Sequence, residues 1–140
     1  RILVGQGVSE ADFQSLVRNA EDGVIVERTR ADFHDLLSRA RASVSLAGYN
    51  TVIDGLVAAI PMLLIPFATA TETEQTDRAR AMADAGQAVT LDLATITGPA
   101  LASAVDQTLD LPHQSPHKDW FGGTERSAAI LHQLATQIRE

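Results

Sequence analysis

The chain has 140 residues, a net charge of −7 and no cysteine, and 45% of its residues are hydrophobic. This length and composition are typical of one ordinary globular domain, so we predict a single domain over residues 1–140. The 11 basic residues form no basic stripe beside 18 acidic ones, which argues against a nucleic-acid partner. The lack of cysteine excludes a disulfide framework and a thiolate metal site, and it fits a cytoplasmic location.

Short apolar runs that are typical of strands alternate with helical patterns along the first ninety residues. The predicted strands are Ile2–Val4, Val24–Val26, Ser43–Leu46, Met62–Ile65 and Ala88–Thr90. Helices are predicted after the start signals Ser9/Asp12 and Thr29/Asp32, from Asn50, and after Thr71–Glu74. Strands joined through helices form parallel sheets with right-handed crossovers. The sequence therefore predicts an α/β fold, a doubly wound parallel sheet of about five strands with helices on both faces.

Helices without further strands are predicted for the last third of the chain. Pro99 is expected to open one helix, and an amphipathic pattern that includes Ile130, Leu131 and Leu134 predicts the last one. We expect Trp120 and Phe121 to pin that last helix to the sheet. The longest apolar stretch is interrupted by prolines and is shorter than the ~20 residues that a membrane-spanning helix requires.

The segment that follows the third predicted strand is a candidate anion site. Ligands of open α/β sheets bind beyond the carboxyl ends of the strands. Gly48 lies at such an end, and Tyr49, Asn50 and Thr51 begin the next helix, where unpaired amides and the helix dipole favour a phosphate. The alternative is that Gly48 only permits a tight turn and that Asn50 or Thr51 merely caps the helix.

Further polar residues fall near the same edge of the predicted sheet. Asp54 lies one turn into the helix and could accept two hydrogen bonds from a ribose, or it could simply complement the helix dipole. Glu74 and Gln75 begin the helix after the fourth strand and could face sugar hydroxyls, although Glu74 also fits a capping box. Arg28 follows the second strand and could contact a base or phosphate, or form a surface ion pair.

The four histidines of the chain give no catalytic assignment. They are His34, His113, His117 and His132. None of them falls in a recognisable triad or metal-ligand pattern. The sequence therefore predicts no metal site and leaves the catalytic residue unknown.

Two motifs carry a family resemblance: Ala47-Gly48-Tyr49-Asn50-Thr51-Val52 and Glu72-Thr73-Glu74-Gln75-Thr76. With them, the run from Val24 to Gln87 resembles the C-terminal, donor-binding domain of GT-B glycosyltransferases of family 28, most of all a bacterial branch of it. The resemblance implies that Gly48 and Thr51 belong to the segment that holds the donor pyrophosphate and that Asp54 binds the ribose. It further implies that Glu74 and Gln75 hold the donor sugar, that Arg28 lies in the base-contacting segment, and that phosphate contacts come from the backbone or Arg78.

The resemblance also implies an activity. The full-length protein would be an inverting, metal-independent glycosyltransferase that uses a nucleoside diphosphate sugar, UDP-sugar above all, and no cofactor. An N-terminal acceptor domain and the first strand of this domain would precede Arg1, so the 140 residues alone are expected to be inactive. The sequence leaves open a homodimer of the fragment and peripheral membrane association of the full-length protein. A nucleotide-sugar 2-epimerase and a non-catalytic α/β interaction module are the alternatives.

Overall fold

The structure is a computed structural model that describes residues 1–69, 73–113, 115 and 122–137. The strands are β1 (Ile2–Val4), β2 (Val26–Arg28), β3 (Ser43–Leu46), β4 (Met62–Ile65) and β5 (Ala88–Thr90). The helices are α1 (Glu10–Arg18), α2 (Phe33–Leu37), α3 (Tyr49–Val57), α4 (Glu74–Asp84), α5 (Gly98–Leu109) and α6 (Gly123–Gln137). Each described strand pair is parallel, and helices alternate with strands. The predicted α/β class, with parallel sheets and helices on both faces, is confirmed.

The chain divides into two compact units, Arg1–Arg39 and Ala40–Glu140. In the first unit β1 pairs with β2, and α1 contacts β2. In the second unit β4 lies between β3 and β5 in a three-stranded sheet, against which α3, α4 and α5 pack. The five strands therefore form one sheet of two strands and one of three.

The second strand begins two residues later than the predicted range Val24–Val26. Gly23 has a positive φ of 88°, and the Val24 amide donates to the Glu21 carbonyl at 3.0 Å. Val24 therefore belongs to a turn, and its apolar side chain misled the prediction. As a result, Arg28 is the last residue of β2 and does not follow the strand.

The core of the second unit is built around β4. Met62, Leu63 and Leu64 are each 1% exposed or less, as expected for a strand buried on both faces. Seven buried residues form one cluster here: Ala47, Val52, Leu56, Met62, Leu64, Ala79 and Ala88. A Cβ atom at Gly55 of α3 would overlap the Met62 side chain, so α3 packs closely on β4.

The C-terminal helices agree with the sequence where they are described. Pro99 lies in the first turn of α5, and the Thr97 hydroxyl accepts from the Ala100 amide at 3.3 Å. The predicted last helix is α6, which buries none of its described side chains. Trp120 and Phe121 lie outside the described residues. None of the helices described here combines the length and apolar character that crossing a bilayer requires.

Candidate functional site

The N-terminus of α3 offers backbone amides to an anion. Gly48 is the N-cap residue, with φ −63° and ψ 150°. The first helical hydrogen bond runs from the Val52 amide to the Gly48 carbonyl at 3.0 Å. The amides of Tyr49, Asn50 and Thr51 precede it and therefore have no acceptor within the helix. They are oriented as donors toward whatever lies beyond the helix start.

Neither structural explanation of the glycine accounts for this loop. The backbone angles of Gly48 are open to any residue, so no turn requires glycine here. A Cβ atom would lie 3.7 Å from the Thr51 Oγ1, which is an ordinary contact. Asn50 and Thr51 occupy the second and third helical positions, so neither is the cap. The fold tolerates a side chain at Gly48, whereas a ligand close to the backbone would not.

The start of α3 also differs electrostatically from those of the other described helices. Each of the others has a side-chain cap bond, an acidic residue in its first turn, or both. Among the helices that the structure describes, α3 alone has neither. The positive end of its dipole is therefore not offset by a nearby carboxylate of the first turn. This end of the helix is the one best suited to receive phosphate.

Asp54 lies one turn further along α3 and is partly buried. Because side chains four positions apart lie on the same face of a helix, Asp54 follows Asn50 along that face. The structure thus places the predicted ribose-binding carboxylate on the helix that begins with the predicted phosphate-binding amides.

Arg78 of α4 lies beside this loop. Its Nη1 donates to the Ala47 carbonyl at 2.7 Å, and its Nη2 pairs with the Glu74 carboxylate. The guanidinium carbon lies 5.6 Å from the centre of the Tyr49 ring. The Arg78 side chain is only 15% exposed. The structure therefore brings the predicted phosphate-contacting arginine to the Gly48 loop, with both terminal nitrogens already donating within the protein.

The capping box predicted for α4 is wrong. The N-cap is Thr73 and Glu74 is the first helical residue, whereas a capping box needs its acid at the third helical position. The Thr73 hydroxyl donates to Asp77 at 3.2 Å, and Thr71 lies outside the described residues. Glu74 is therefore not bound to the cap, and its carboxylate pairs with Arg78.

Gln75 connects the start of α4 to the loop after β4. Its Oε1 accepts from the Phe67 amide at 3.1 Å. This bond engages the amide oxygen and leaves the nitrogen as the donor half of the group. The sequence did not predict this role, although the spacing of eight residues between Phe67 and Gln75 is short enough for a local contact.

A cleft of about 650 Å³ opens next to this connection. The loop after β4, helix α4 and the segment after β5 line it, with Phe67, Thr76, Arg80, Asp92 and Leu93 among the lining residues. This cleft was not predicted, because the segment after β5 carries no motif. One sequence feature lies beside the cleft: Pro66 and Phe67 directly follow the strand Met62–Ile65.

Arg28 lies in the first unit and is held there by protein groups. Its Nη1 donates to the carbonyls of Gly5 at 3.1 Å and Val8 at 2.7 Å, and its Nη2 donates to Glu10 at 2.9 Å. Its guanidinium carbon lies 4.4 Å from the centre of the Phe13 ring. The ion-pair alternative for this residue is therefore observed. The other predicted site residues all lie in the second unit.

Acidic groups are not arranged around a metal in the part of the chain that the structure describes. No group of three or more His, Asp or Glu side chains there could hold a metal ion. The groups that make up the candidate site in the second unit are the backbone amides at the start of α3, the carboxylates of Asp54 and Glu74, the Gln75 amide and the Arg78 guanidinium.

Parallel sheets with helices on both faces, and an open helix N-terminus beyond a strand, are the features of a Rossmann-like α/β domain. The model of the glycosyltransferase family 28 C-terminal domain matches residues 1–134. The chain belongs to this family.

Two curated relatives share the same name, UDP-N-acetylglucosamine--N-acetylmuramyl-(pentapeptide) pyrophosphoryl-undecaprenol N-acetylglucosamine transferase. The protein of Anaeromyxobacter sp. (strain K) is 34% identical over 113 residues, which cover 78% of this chain and 30% of the relative. The protein of Gloeobacter violaceus is 40% identical over 77 residues, which cover 55% of this chain and 22% of the relative. The chain thus spans less than a third of the length of these relatives.

Solved structures support the fold. Spinosyn forosaminyltransferase superimposes with a TM-score of 0.59 and 23% identity, covering 66% of this chain and 24% of that one. The glycotransferase of kitacinnamycin gives a TM-score of 0.52 and 25% identity, covering 66% of this chain and 25% of that one.

Proposed function

We propose that this chain is the donor-binding domain of a glycosyltransferase and that it binds a nucleoside diphosphate sugar, UDP-sugar above all. The observation that carries the proposal is the uncapped N-terminus of α3 at Gly48, within a chain that belongs to family 28. The amides of Tyr49, Asn50 and Thr51 receive the diphosphate. Asp54 accepts hydrogen bonds from the ribose.

The donor sugar lies toward the start of α4 in this proposal. The Gln75 amide nitrogen donates to a sugar hydroxyl, while its oxygen stays on the Phe67 amide. Glu74 is 70% exposed and can accept from a second hydroxyl.

The chemistry that this site supports is stabilisation of the leaving group. As the bond between the sugar and the diphosphate breaks, negative charge develops on the diphosphate. Preorganised amides and the positive dipole end of α3 stabilise that charge without a metal ion. The proposed reaction therefore needs no metal ion and no cofactor. From the family resemblance we further propose that it inverts the anomeric configuration, and we assign the catalytic base to a part of the protein outside these residues.

The proposal extends to location and partners. The names of the curated relatives include an undecaprenol-linked acceptor. By analogy, we propose a cytoplasmic enzyme that meets its acceptor at a membrane surface through a further domain of the full-length protein.

Calorimetry on the full-length protein tests this function. We expect UDP to bind, with GDP and dTDP as the comparison ligands. Because Asp54→Ala removes a charged acceptor, it should weaken UDP binding about tenfold. Asp106→Ala, an exposed acid on α5, is the matched control and should leave the affinity unchanged.

Two results would contradict the proposal. One is that none of the three nucleotides binds, as a non-catalytic interaction module predicts. The other is that Asp54→Ala binds as tightly as the wild type. Product analysis with and without an acceptor separates a transferase from a 2-epimerase. An epimerase converts the nucleotide sugar without an acceptor, whereas a transferase moves the sugar to the acceptor.

A further inference from the structure

Arg78 joins two segments that are far apart in the chain. The Ala47 carbonyl, to which it donates at 2.7 Å, immediately precedes the Gly48 loop and lies 31 residues earlier. The Glu74 carboxylate, with which it pairs, lies one turn earlier on α4, the helix that also carries Arg78, and belongs to its first residue. A single guanidinium thus connects the proposed phosphate-binding segment to the proposed sugar-binding segment.

This contact differs from an ordinary surface ion pair. The Arg78 side chain is 15% exposed, whereas that of Arg80 on the same helix is 68% exposed and lies 3.7 Å from Asp77. Arg78 also packs beside the Tyr49 ring. Exposed ion pairs contribute little, but a partly buried guanidinium that donates to two acceptors has a defined geometry.

The two connected segments are held in different ways. Helix α3 is held by core packing, because it buries Val52, Gly55 and Leu56. The start of α4 has no side-chain cap bond at Thr73. Its first turn is connected to the rest of the unit by the Arg78 bond to Ala47 and by the bond from Phe67 to Gln75.

We propose that Arg78 is a positioning residue that, by donating at once to Ala47 and Glu74, sets the distance between the α3 amides and Gln75. The proposal rests on the proposed function, since it concerns how that site is held. It assigns no phosphate contact to Arg78. Loss of the side chain should displace the start of α4 and leave the start of α3 in place.

The two halves of a donor molecule distinguish positioning from direct contact. UDP needs only the base, ribose and phosphate contacts, whereas UDP-N-acetylglucosamine also needs Gln75 in place. Loss of a positioning residue should weaken the second ligand more than the first. Loss of a direct phosphate ligand should weaken both by the same factor.

The test is calorimetry on the full-length protein with UDP and UDP-N-acetylglucosamine. For Arg78→Met we expect about a tenfold loss for the nucleotide sugar and about twofold or less for UDP. Arg78→Lys keeps the charge but cannot bridge two acceptors as a planar guanidinium does, so it should show the same selective loss. Arg126→Met removes the same charge from an exposed position on α6, away from the candidate site residues in the chain, and should change neither affinity.

Each other outcome overturns the inference. An equal loss for both ligands would make Arg78 a phosphate ligand, and recovery in Arg78→Lys would show that only its charge matters. Unchanged affinities would show that the contact is incidental. A wild type that binds UDP but not the nucleotide sugar would remove the sugar assignment of Gln75. A wild type that binds neither would overturn the proposed function together with the inference.

Discussion

Helices α1 and α3 both follow a strand of a parallel pair, yet their N-termini are opposite in character. At α1 the Ser9 hydroxyl accepts from the Asp12 amide at 3.2 Å, and two acids lie in the first turn. At α3 the cap is Gly48, and the first turn contains no acid. The same connection of strand to helix is thus closed to an anion in the first unit and open to one in the second.

The two helices also differ in what stabilises them. Helix α1 buries none of its side chains, so its own surface groups and caps must contribute much of its stability. Helix α3 buries three residues against the core of its unit. Because this burial stabilises α3, its N-terminal amides can remain without a cap. The uncapped start of α3 is therefore compatible with a stable helix because of the core beneath it.

The arginines of the two units repeat one arrangement with different results. Arg28 donates to two carbonyls and pairs with Glu10, the first residue of α1. Arg78 donates to one carbonyl and pairs with Glu74, the first residue of α4. In the first unit the arginine closes the loop that leads into α1. In the second it donates to the carbonyl before the open loop and packs beside the Tyr49 ring, the first side chain of α3.

The largest predicted effect is a loss of nucleotide affinity when the N-terminus of α3 receives an acidic cap and so resembles that of α1. In Gly48→Asp the new carboxylate can cap the helix and would face the diphosphate. We expect nucleotide affinity to fall about a hundredfold, because a like charge at such a contact costs several kcal/mol. The free energy of unfolding should rise by about a few tenths of a kcal/mol, since aspartate caps slightly better than glycine.

Gly48→Ser is the matched variant for this prediction, because it adds a cap without a charge. Calorimetry measures the affinities, and thermal unfolding measures stability. A smaller loss in Gly48→Ser than in Gly48→Asp separates charge from bulk. Unchanged affinity in Gly48→Asp would show that the amides of α3 do not meet the phosphates.

The packing of α3 against β4 is tested at Gly55. A Cβ atom there would overlap the Met62 side chain, which is 1% exposed and has little room to move. We expect Gly55→Ala to lower the free energy of unfolding by about 1–2 kcal/mol, after allowing for the better helix propensity of alanine. Gly98→Ala in α5 is the control, because a Cβ atom there meets nothing within 4 Å. Denaturant unfolding of both variants would contradict the role of Gly55 if their stabilities changed alike.

The bounds of the first, third, fourth and fifth strands could be predicted from sequence, and those of the second could not. The runs Ser43–Leu46, Met62–Ile65 and Ala88–Thr90 were predicted with their observed bounds. The second strand was misplaced because Val24 and Ile25 are apolar but lie between the turn at Gly23 and the start of the strand. Hydrophobicity marks strands through burial, and at this position the turn at Gly23 decides where pairing begins.

The candidate site was predictable only where it is local. The strand end followed by Gly48 is visible in sequence, because glycine and polar residues mark the turn into a helix. The contact between Arg78 and Ala47 is not, because these residues are 31 positions apart and only the packing of the second unit brings them together. The cap of α4 was misassigned because Thr71 and Thr73 both fit the sequence preference of an N-cap. The observed helix begins directly after Thr73.

The smallest predicted effect concerns the acids of α1. A hydrogen bond from Gln14, followed by one from Arg28, lowers the pKa of Glu10 from its ordinary value of 4.5. Since the pKa is lower in the folded state, the unfolded chain binds more protons as the pH falls. The stabilising contribution of Glu10 is therefore fully present above pH 4.5 and is lost as the pH falls through the folded pKa. The first turn of α3 carries no acid, so this dependence belongs to the first unit.

Titration of the Glu10 carboxylate by NMR measures the shift directly. In Gln14→Leu the main hydrogen bond is gone, and the pKa of Glu10 should move back toward 4.5. The stability difference between the wild type and Glu10→Gln should shrink on acidification below that pH, because both then carry a neutral side chain. If Glu10 in the wild type titrated at or above 4.5, the surface bonds of α1 would not stabilise its ionised form, and the contrast with α3 would rest on the Ser9 cap alone.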